Sequence, residues 1–311
     1  MDYFIRRKAC PGCGATRTQT IYERPFNDPA LKSYLLNFYG RQGHIEFGYL
    51  ENDMFILEDC LECGLVYQKA YLNDSLMEKL YEEWIDPHLV FEEEEKTFGL
   101  DYYSRYAQEI GTVLTYLNRI PTQLEFLDFG MGWGKWLKLV TGFGVSAYGT
   151  ELSQSRIDYA KRFGVTVLSW AEVGPRKFDF INTEQVFEHI PNPLETLVHL
   201  KNALKPGALL KISVPDGSDI KRRLAVSDWK AEKFTRNSLN AVSPLEHINC
   251  FNFEAILKMA DNAGLRRVVI PLRLQFAFLC HNSSLKNLMK NLVKPFYRNY
   301  GKSTYLFFAL K

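Results

Sequence analysis

The period of apolar and polar positions changes along this chain and divides it. From Pro121 onward, short apolar runs alternate with stretches of helical period. The runs Leu124–Phe129, Val145–Glu151, Val165–Ser169, Phe178–Glu184, Ala208–Pro215, Arg267–Phe276 and Thr304–Lys311 read as strands. Helices are expected at Gly134–Thr141, Ser153–Arg162, Pro193–Leu204, Asn252–Ala263 and Ser284–Phe296. Strands apolar on both faces, alternating with helices, predict an α/β fold: a doubly wound, seven-stranded, mostly parallel Rossmann-like sheet. Upstream, Asp74–Trp84 reads as a helix capped at Asn73 or Asp74 and stopped by Asp86 and Pro87. Asp101–Leu117 repeats apolar residues at helical spacing through Tyr103, Ala107, Ile110 and Leu114. The run Glu92–Glu95 reads as a solvated helix face.

One junction carries chemistry. The strand Leu124–Phe129 contains Asp128 and leads into Gly130, Gly132 and Gly134, then a helix. Glycines at every second position let a strand turn into a helix while leaving bare backbone for a nucleoside-like cofactor. Lys135 stands where the third glycine of the dinucleotide fingerprint would be, so the pattern is G-x-G-x-G. Glu151, ending the second strand, is suited to hold ribose hydroxyls.

This loop resembles the first motif of class I S-adenosylmethionine (SAM)-dependent methyltransferases. The segment Phe178–Pro193, with its Glu188-His189 pair, resembles the fourth-strand region of ubiquinone-biosynthesis-type methyltransferases. The L-K-P-G turn at 204–207 and the strand after it are similar to the same family. With two C-x-x-C pairs, Cys10 with Cys13 and Cys60 with Cys63, the chain looks like the zinc-ribbon class I methyltransferases, which include sugar C-methyltransferases. The resemblance implies a SAM site in which Gly130, Gly132 and Gly134 line the methionine and ribose, supported by Asp128. Glu151 holds the ribose, with Leu152 beside it. Trp170 and Ala171 flank adenine, and Glu184 and Gln185 lie near the transferring methyl.

Candidate bases are His247, Glu246, His189 and Glu188. The segment Pro244–Asn252 resembles the H-E-H-L-x-x-F stretch of sugar C-methyltransferases, with Leu245 replacing its first His. Glu246 and His247 remain, which suits a hydroxyl acceptor needing one base near neutral pKa. For His189, anchoring of its loop is the stronger reading.

Cys10, Cys13, Cys60 and Cys63 form two C-x-x-C pairs, each followed by glycine. Such pairs aim thiolates at one point and predict a closed, structural zinc site. The long insert between them is expected to hold a helix and a hairpin, with strands at Phe47–Leu50 and Met54–Leu57. The expected organisation is a zinc-ribbon module over 1–70, a helical linker over 71–120 and a methyltransferase domain over 121–311. Residues 218–250 form an acceptor-covering insertion in that domain. Its Arg222, Arg223, Lys230, Lys233 and Arg236 read either as a phosphate or carboxylate contact or as a solvated face.

Composition narrows the partners. The chain has 311 residues, 46% hydrophobic, and a net charge of +2. So small a charge argues against a general nucleic-acid binder. No apolar run approaches the ~20 residues that span a bilayer. The N-terminus lacks an apolar signal core, so a cytoplasmic protein with reduced or metal-bound cysteines is expected. The cations repeated through Lys286, Lys290, Lys294, Arg298 and Lys302 read as an amphipathic helix whose leucines pack on the sheet, in preference to a membrane or RNA surface. The expected activity is methyl transfer from SAM to a small-molecule acceptor: a hydroxyl or carbon of a sugar, nucleotide sugar or glycan or secondary-metabolite precursor. Two alternatives are an RNA methyltransferase whose ribbon binds RNA and a non-catalytic SAM-binding scaffold. Oligomeric state is left open.

Overall fold

The computed structural model describes residues 3–97, 99–233, 235–278 and 284–311. The chain divides into two compact units. One comprises Met1–Glu95, Phe187–Leu194 and Pro215–Met259; the other comprises Lys96–Val186, Glu195–Val214 and Ala260–Lys311.

The second unit holds the expected sheet. Its strands are Glu125–Phe129, Ser146–Thr150, Thr166–Val167, Phe178–Glu184, Leu204–Ser213, Leu265–Val268 and Tyr305–Leu310. Counted one to seven along the chain, they lie in the order 6-7-5-4-1-2-3. The last strand runs antiparallel to both its neighbours, and the remaining pairs are parallel. Buried Phe126 and Phe180 meet at 5.2 Å between ring centroids, and Trp136 from the following helix stacks on Phe126 at 6.3 Å. The helix Leu100–Leu117 turns Tyr106, Ile110 and Val113 into this core.

Two expectations differ here. The sixth strand ends at Val268 instead of running to Phe276, and Leu272–Phe276 is a short helix. Pro271 precedes that helix with φ −54°, a value set by its ring, and a proline cannot donate to a sheet ladder. The helix Leu285–Tyr300 does not press its leucines on the sheet; its buried residues are Pro295 and Asn299. Asn299 Nδ2 donates to the Ile270 carbonyl at 2.9 Å and Asn299 Oδ1 accepts from Gln275 Nε2 at 3.0 Å. Arg267 donates to the Asn299 carbonyl at 2.8 Å. Polar bonds therefore hold the inner face, and the apolar stripe points outward.

The first unit is built on a four-stranded antiparallel sheet in the order Asn249–Cys250, Val66–Gln68, Met54–Cys60, Thr18–Pro25. Phe4–Arg6 pairs separately with Ala70–Leu72. The insert between the cysteine pairs supplies the helix Pro29–Gly40, started by Pro29 and capped by Asp28, whose Oδ1 accepts from Ala30 N and Leu31 N. Phe47–Tyr49 is one tight helical turn rather than a strand. Asp74–Lys79 is capped by Asn73 as expected and widens into a π turn over Leu80–Trp84.

These units cut across the linear division of the sequence. Ile220, Leu224, Trp229 and Val242, from the expected insertion, join Leu31, Phe55 and Trp84 in one core. Trp229 sits 5.2 to 6.0 Å from the rings of Tyr22, Tyr34 and Phe55 and donates to Tyr22 Oη at 2.9 Å. Burying that indole and its aromatic neighbours together joins sequence-distant segments.

Candidate active site

The glycine loop lies in the second unit, where the first strand meets the second. Phe129 pairs with Thr150 in register, and the loop is tied to that partner. Gly130 N donates to Thr150 Oγ1 at 3.0 Å, and Met131 N to the Thr150 carbonyl at 2.9 Å. Gly130, Gly132 and Gly134 all have positive φ, at 73°, 52° and 66°. They differ in what surrounds them. A Cβ on Gly130 would lie 2.8 Å from Val186, and one on Gly134 2.8 Å from Ala160. At Gly132 a Cβ would meet nothing within 4 Å. Gly132 is therefore the residue whose bare backbone faces open space.

Asp128 is buried in the first strand. Its Oδ1 accepts from Asn182 Nδ2 at 2.7 Å across the sheet, and burial pushes its pKa up to about 7. Glu151 follows the second strand; its Oε1 accepts from Leu152 N at 2.9 Å and Ser153 N at 3.1 Å, with Arg156 at 3.8 Å. One carboxylate oxygen is thus used to fix the turn. Leu152 beside it is 99% exposed. Trp170, 47% exposed, opens the short helix Trp170–Val173 that also carries exposed Ala171. Its ring lies 5.8 Å from Phe129 and stacks on His199 at 3.9 Å, a neighbour that sequence spacing does not announce.

Glu184 ends the fourth strand above a buried ionic network. Lys211, fully buried on the neighbouring strand, reaches Glu184 Oε2 at 2.6 Å and both oxygens of Glu109 at 2.9 and 3.0 Å. Trp136 Nε1 and Tyr305 Oη also donate to Glu109, at 3.1 and 2.5 Å. Burial works to raise Glu109, but Lys211 and Tyr305 outweigh it and hold the carboxyl below its ordinary range. Burial likewise works to lower Lys211, and the two carboxylates hold it raised. Gln185 takes a left-handed φ of 55° as its N–H donates to the Ser213 carbonyl at 2.8 Å. Glu109 and Lys211 were missed, yet a lone lysine between Leu210 and Ile212 in a buried strand requires a partner.

The candidate bases belong to the first unit. The rings of His189 and His247 lie edge to face at 4.9 Å, and His189 Nε2 is 4.0 Å from Glu188 Oε1. His189 Nδ1 lies 3.2 Å from Tyr81 Oη, and the Glu246 carbonyl also hydrogen-bonds its ring. His247 Nδ1 donates to the Asn240 carbonyl, which leaves its lone pair on Nε2. Burial pushes both rings down, His247 to about 4 and His189 to about 3, so both are neutral at pH 7. The Glu246 carboxylate turns elsewhere: Oε2 accepts from Tyr39 Oη at 3.0 Å. Leu245 holds the bend before it at φ 74°, an uncommon conformation for a branched residue.

Residues 100–269, just over half the chain, match a family described as "Methyltransferase domain". The chain belongs to this methyltransferase family. The expected SAM-dependent enzyme with a Rossmann-like sheet is borne out by that match and by the strand order. No curated protein matches the sequence. Among solved structures, the plantazolicin methyltransferase BamL, in complex with a triazolic desmethylPZN analog and SAH, is similar at 17% identity and a TM-score of 0.47. The match covers 75% of this chain and 92% of that one. The plantazolicin methyltransferase BpumL with SAH is similar at 13% identity and a TM-score of 0.47, over 75% and 91%. A putative sarcosine dimethylglycine methyltransferase from Galdieria sulphuraria is similar at 17% identity and a TM-score of 0.41, over 66% and 84%.

This methyltransferase also brings the four expected cysteines together. The Sγ atoms of Cys10, Cys13, Cys60 and Cys63 all lie within 4.8 Å of one another. Cys10 to Cys63 and Cys13 to Cys60 are each 3.6 Å, close to the ~3.8 Å edge of a tetrahedron with zinc–sulfur bonds of ~2.3 Å. The two pairs repeat one backbone turn. Gly14 N donates to the Cys10 carbonyl and Gly64 N to the Cys60 carbonyl, both at 2.8 Å. Cys10 N and Cys60 N reach forward to the Ala15 and Leu65 carbonyls at 2.8 and 2.9 Å.

Two of the cations in the 218–250 segment are committed to their own loop. Arg222 bonds Asp219, Asn237 and the Arg236 carbonyl, and Arg223 bonds Asp219 and the Ser238 carbonyl.

Proposed function

We propose that this protein methylates a hydroxyl or carbon of a small molecule, of the sugar, nucleotide-sugar or glycan-precursor class, using SAM. The observation that carries the cofactor reading is Gly132: a left-handed residue over open space, where a side chain would fill the cradle. SAM supplies an activated methyl on a sulfonium that is already a good leaving group. In this reading Gly130, Gly132 and Gly134 give it backbone, and Glu151 uses its second oxygen for the ribose hydroxyls. Exposed Leu152 and Trp170 offer apolar surface to adenine, with Ala171 beside them. Glu184, fixed by Lys211, and Gln185 border the methyl.

His247 is proposed as the base, with His189 and Glu246 positioning it. His247 is neutral with its lone pair on Nε2, so it is ready to take a proton. With a pKa near 4 it cannot form an alkoxide beforehand; it takes the proton as the new bond forms. The cysteine cluster is proposed to hold structural zinc. Four thiolates leave no position open for water, so it serves the fold and not the chemistry.

Calorimetry with SAH tests the cofactor site, and a screen of sugars and nucleotide sugars with methyl-labelled SAM tests the acceptor class. SAH binding together with label transfer only to acceptors outside that class would overturn the sugar assignment alone.

A further inference from the structure

The helix Leu285–Tyr300 turns its apolar side outward. Leu285, Met289, Leu292, Val293, Phe296 and Tyr300 are between 38% and 76% exposed. Their spacing puts them on one stripe of about four turns. The side adjoining the stripe holds the helix to its unit, through Pro295 and Asn299, and Phe296 at the edge of the stripe meets the Phe276 ring at 6.0 Å.

The charge along the helix itself has one sign. Lys286 and Lys290 are exposed at its border. Lys294 and Arg298 point inward instead, lining a cavity with Arg105, and are not part of the outer face. Residues 262–311 contain nine Lys and Arg and no Asp or Glu, although the whole chain nets only +2. An acid-free cationic segment with an outward apolar stripe of leucine, valine, methionine and aromatic side chains matches a surface that is negative outside and apolar just beneath. No helix among the described residues is long and apolar enough to cross a membrane. A helix with this division of residues lies in the plane of the interface instead.

We propose that Leu285–Tyr300 is a membrane-docking helix that seats the protein on an anionic bilayer surface. Val293, Phe296 and their neighbours enter the acyl boundary, and Lys286 and Lys290 pair with anionic headgroups. A protein groove would supply acids at fixed positions; a bilayer supplies a uniform negative field, which needs only cations along the stripe.

The test is co-sedimentation of the full-length protein with vesicles of phosphatidylcholine containing about three-tenths phosphatidylserine, against vesicles of phosphatidylcholine alone. Binding is expected to the anionic vesicles and to weaken with salt. Lys286→Gln with Lys290→Gln should weaken it about fivefold per lysine, from about 1 kcal/mol each. Val293→Glu with Phe296→Glu should abolish it. These side chains are exposed, so SAH binding and the melting temperature should hold in both variants, showing that each is folded. Three results would overturn the proposal. One is no retention on anionic vesicles; another is retention unchanged in the Val293/Phe296 variant. The third is vesicle-free self-association, or RNA binding, that the same variants remove while vesicles are ignored.

Discussion

Lys211 Nζ sits 2.9 and 3.0 Å from the two carboxylate oxygens of Glu109, with neither side chain open to solvent. A second carboxylate, Glu184, takes the same ammonium at 2.6 Å. Removing the cation leaves two acids facing each other in a buried setting. Lys211→Met is therefore expected to destabilise the fold by about 3–5 kcal/mol in urea unfolding. Lys211→Arg, which keeps the charge, should lose less. A loss below about 1 kcal/mol for the methionine variant would show that water reaches the pair.

The same network sets a pH window. Glu109 is held below its unfolded value, so its contribution is present above about pH 4.3 and is lost as pH falls through the folded value. Lys211 is raised, so its contribution is full below about pH 10.4 and is lost as pH rises through the folded value. Asp128 works the other way: burial raises its pKa to about 7, so its contribution is full below the unfolded value of about 3.9 and is lost as pH rises to about 7. Asp128→Asn should thus gain on the native protein between about pH 4 and about pH 7. Unfolding free energies at the two pH values check this, and a constant difference would refute it.

The sheet was legible because its strands are apolar on both faces: Phe178–Glu184 has the ends expected of it, and the G-x-G-x-G loop falls where the first strand meets its helix. What was hidden depended on partners distant in sequence. Glu109 looks like one polar position on a helix, and only Lys211, 102 residues away, makes it part of a buried ionic network. The outward face of Leu285–Tyr300 was misread because its heptad-like leucines suggest packing. Asn299 and Gln275, which decide which side turns inward, carry no periodic signal. Pro271 did carry one, since proline suits the position just before a helix and cannot donate to a sheet ladder.

Two glycines of the loop should respond differently to the same change. Gly130→Ala brings a Cβ to 2.8 Å from Val186 and also forces a left-handed alanine, so folding should suffer by about 2 kcal/mol or more. Gly132→Ala meets no atom within 4 Å, so its cost is the conformational one of about 1–2 kcal/mol. Its larger effect should be on SAH affinity, because the new methyl enters the space assigned to the cofactor. Calorimetry showing undiminished SAH affinity in a folded Gly132→Ala protein would remove that residue from the site.

Glu151 and His247 should separate binding from turnover. Glu151→Gln keeps the shape of the side chain and its acceptor oxygen toward Leu152 N, but removes the charge that would hold ribose hydroxyls. SAH binding should weaken roughly tenfold to a hundredfold, at about 1.5–3 kcal/mol for a hydrogen bond to a charged group. His247→Ala should leave SAH affinity within twofold and lower kcat by about 10²–10⁴. Unchanged turnover on an identified acceptor would deny His247 the role of base.

The histidines also predict an acid-side signature. Both are held below their unfolded value of about 6.5, His247 near 4 and His189 near 3. Their neutral forms are favoured by the fold, so unfolding takes up protons and stability falls as pH drops below about 6.5. His189→Gln should flatten that fall by up to about 1.4 kcal/mol per pH unit, the value for one proton. An identical pH slope in the variant would place the proton uptake elsewhere.

The cysteine cluster gives the most direct metal prediction. Purified without chelators, the protein should carry about one zinc per chain. Cys13→Ser removes one corner of the tetrahedron and should lower metal content and unfold the surrounding turns. Cys250, buried but outside the cluster, provides the control: Cys250→Ser should keep the zinc. The two C-x-x-C turns share one hydrogen-bond pattern, so Cys63→Ser should match Cys13→Ser in metal loss. Chelation should release zinc and lower the melting temperature of the native protein, with SAH binding as the readout of whether the second unit persists. A protein free of zinc as purified, and indifferent to chelators, would leave the cluster as four thiols packed for stability alone.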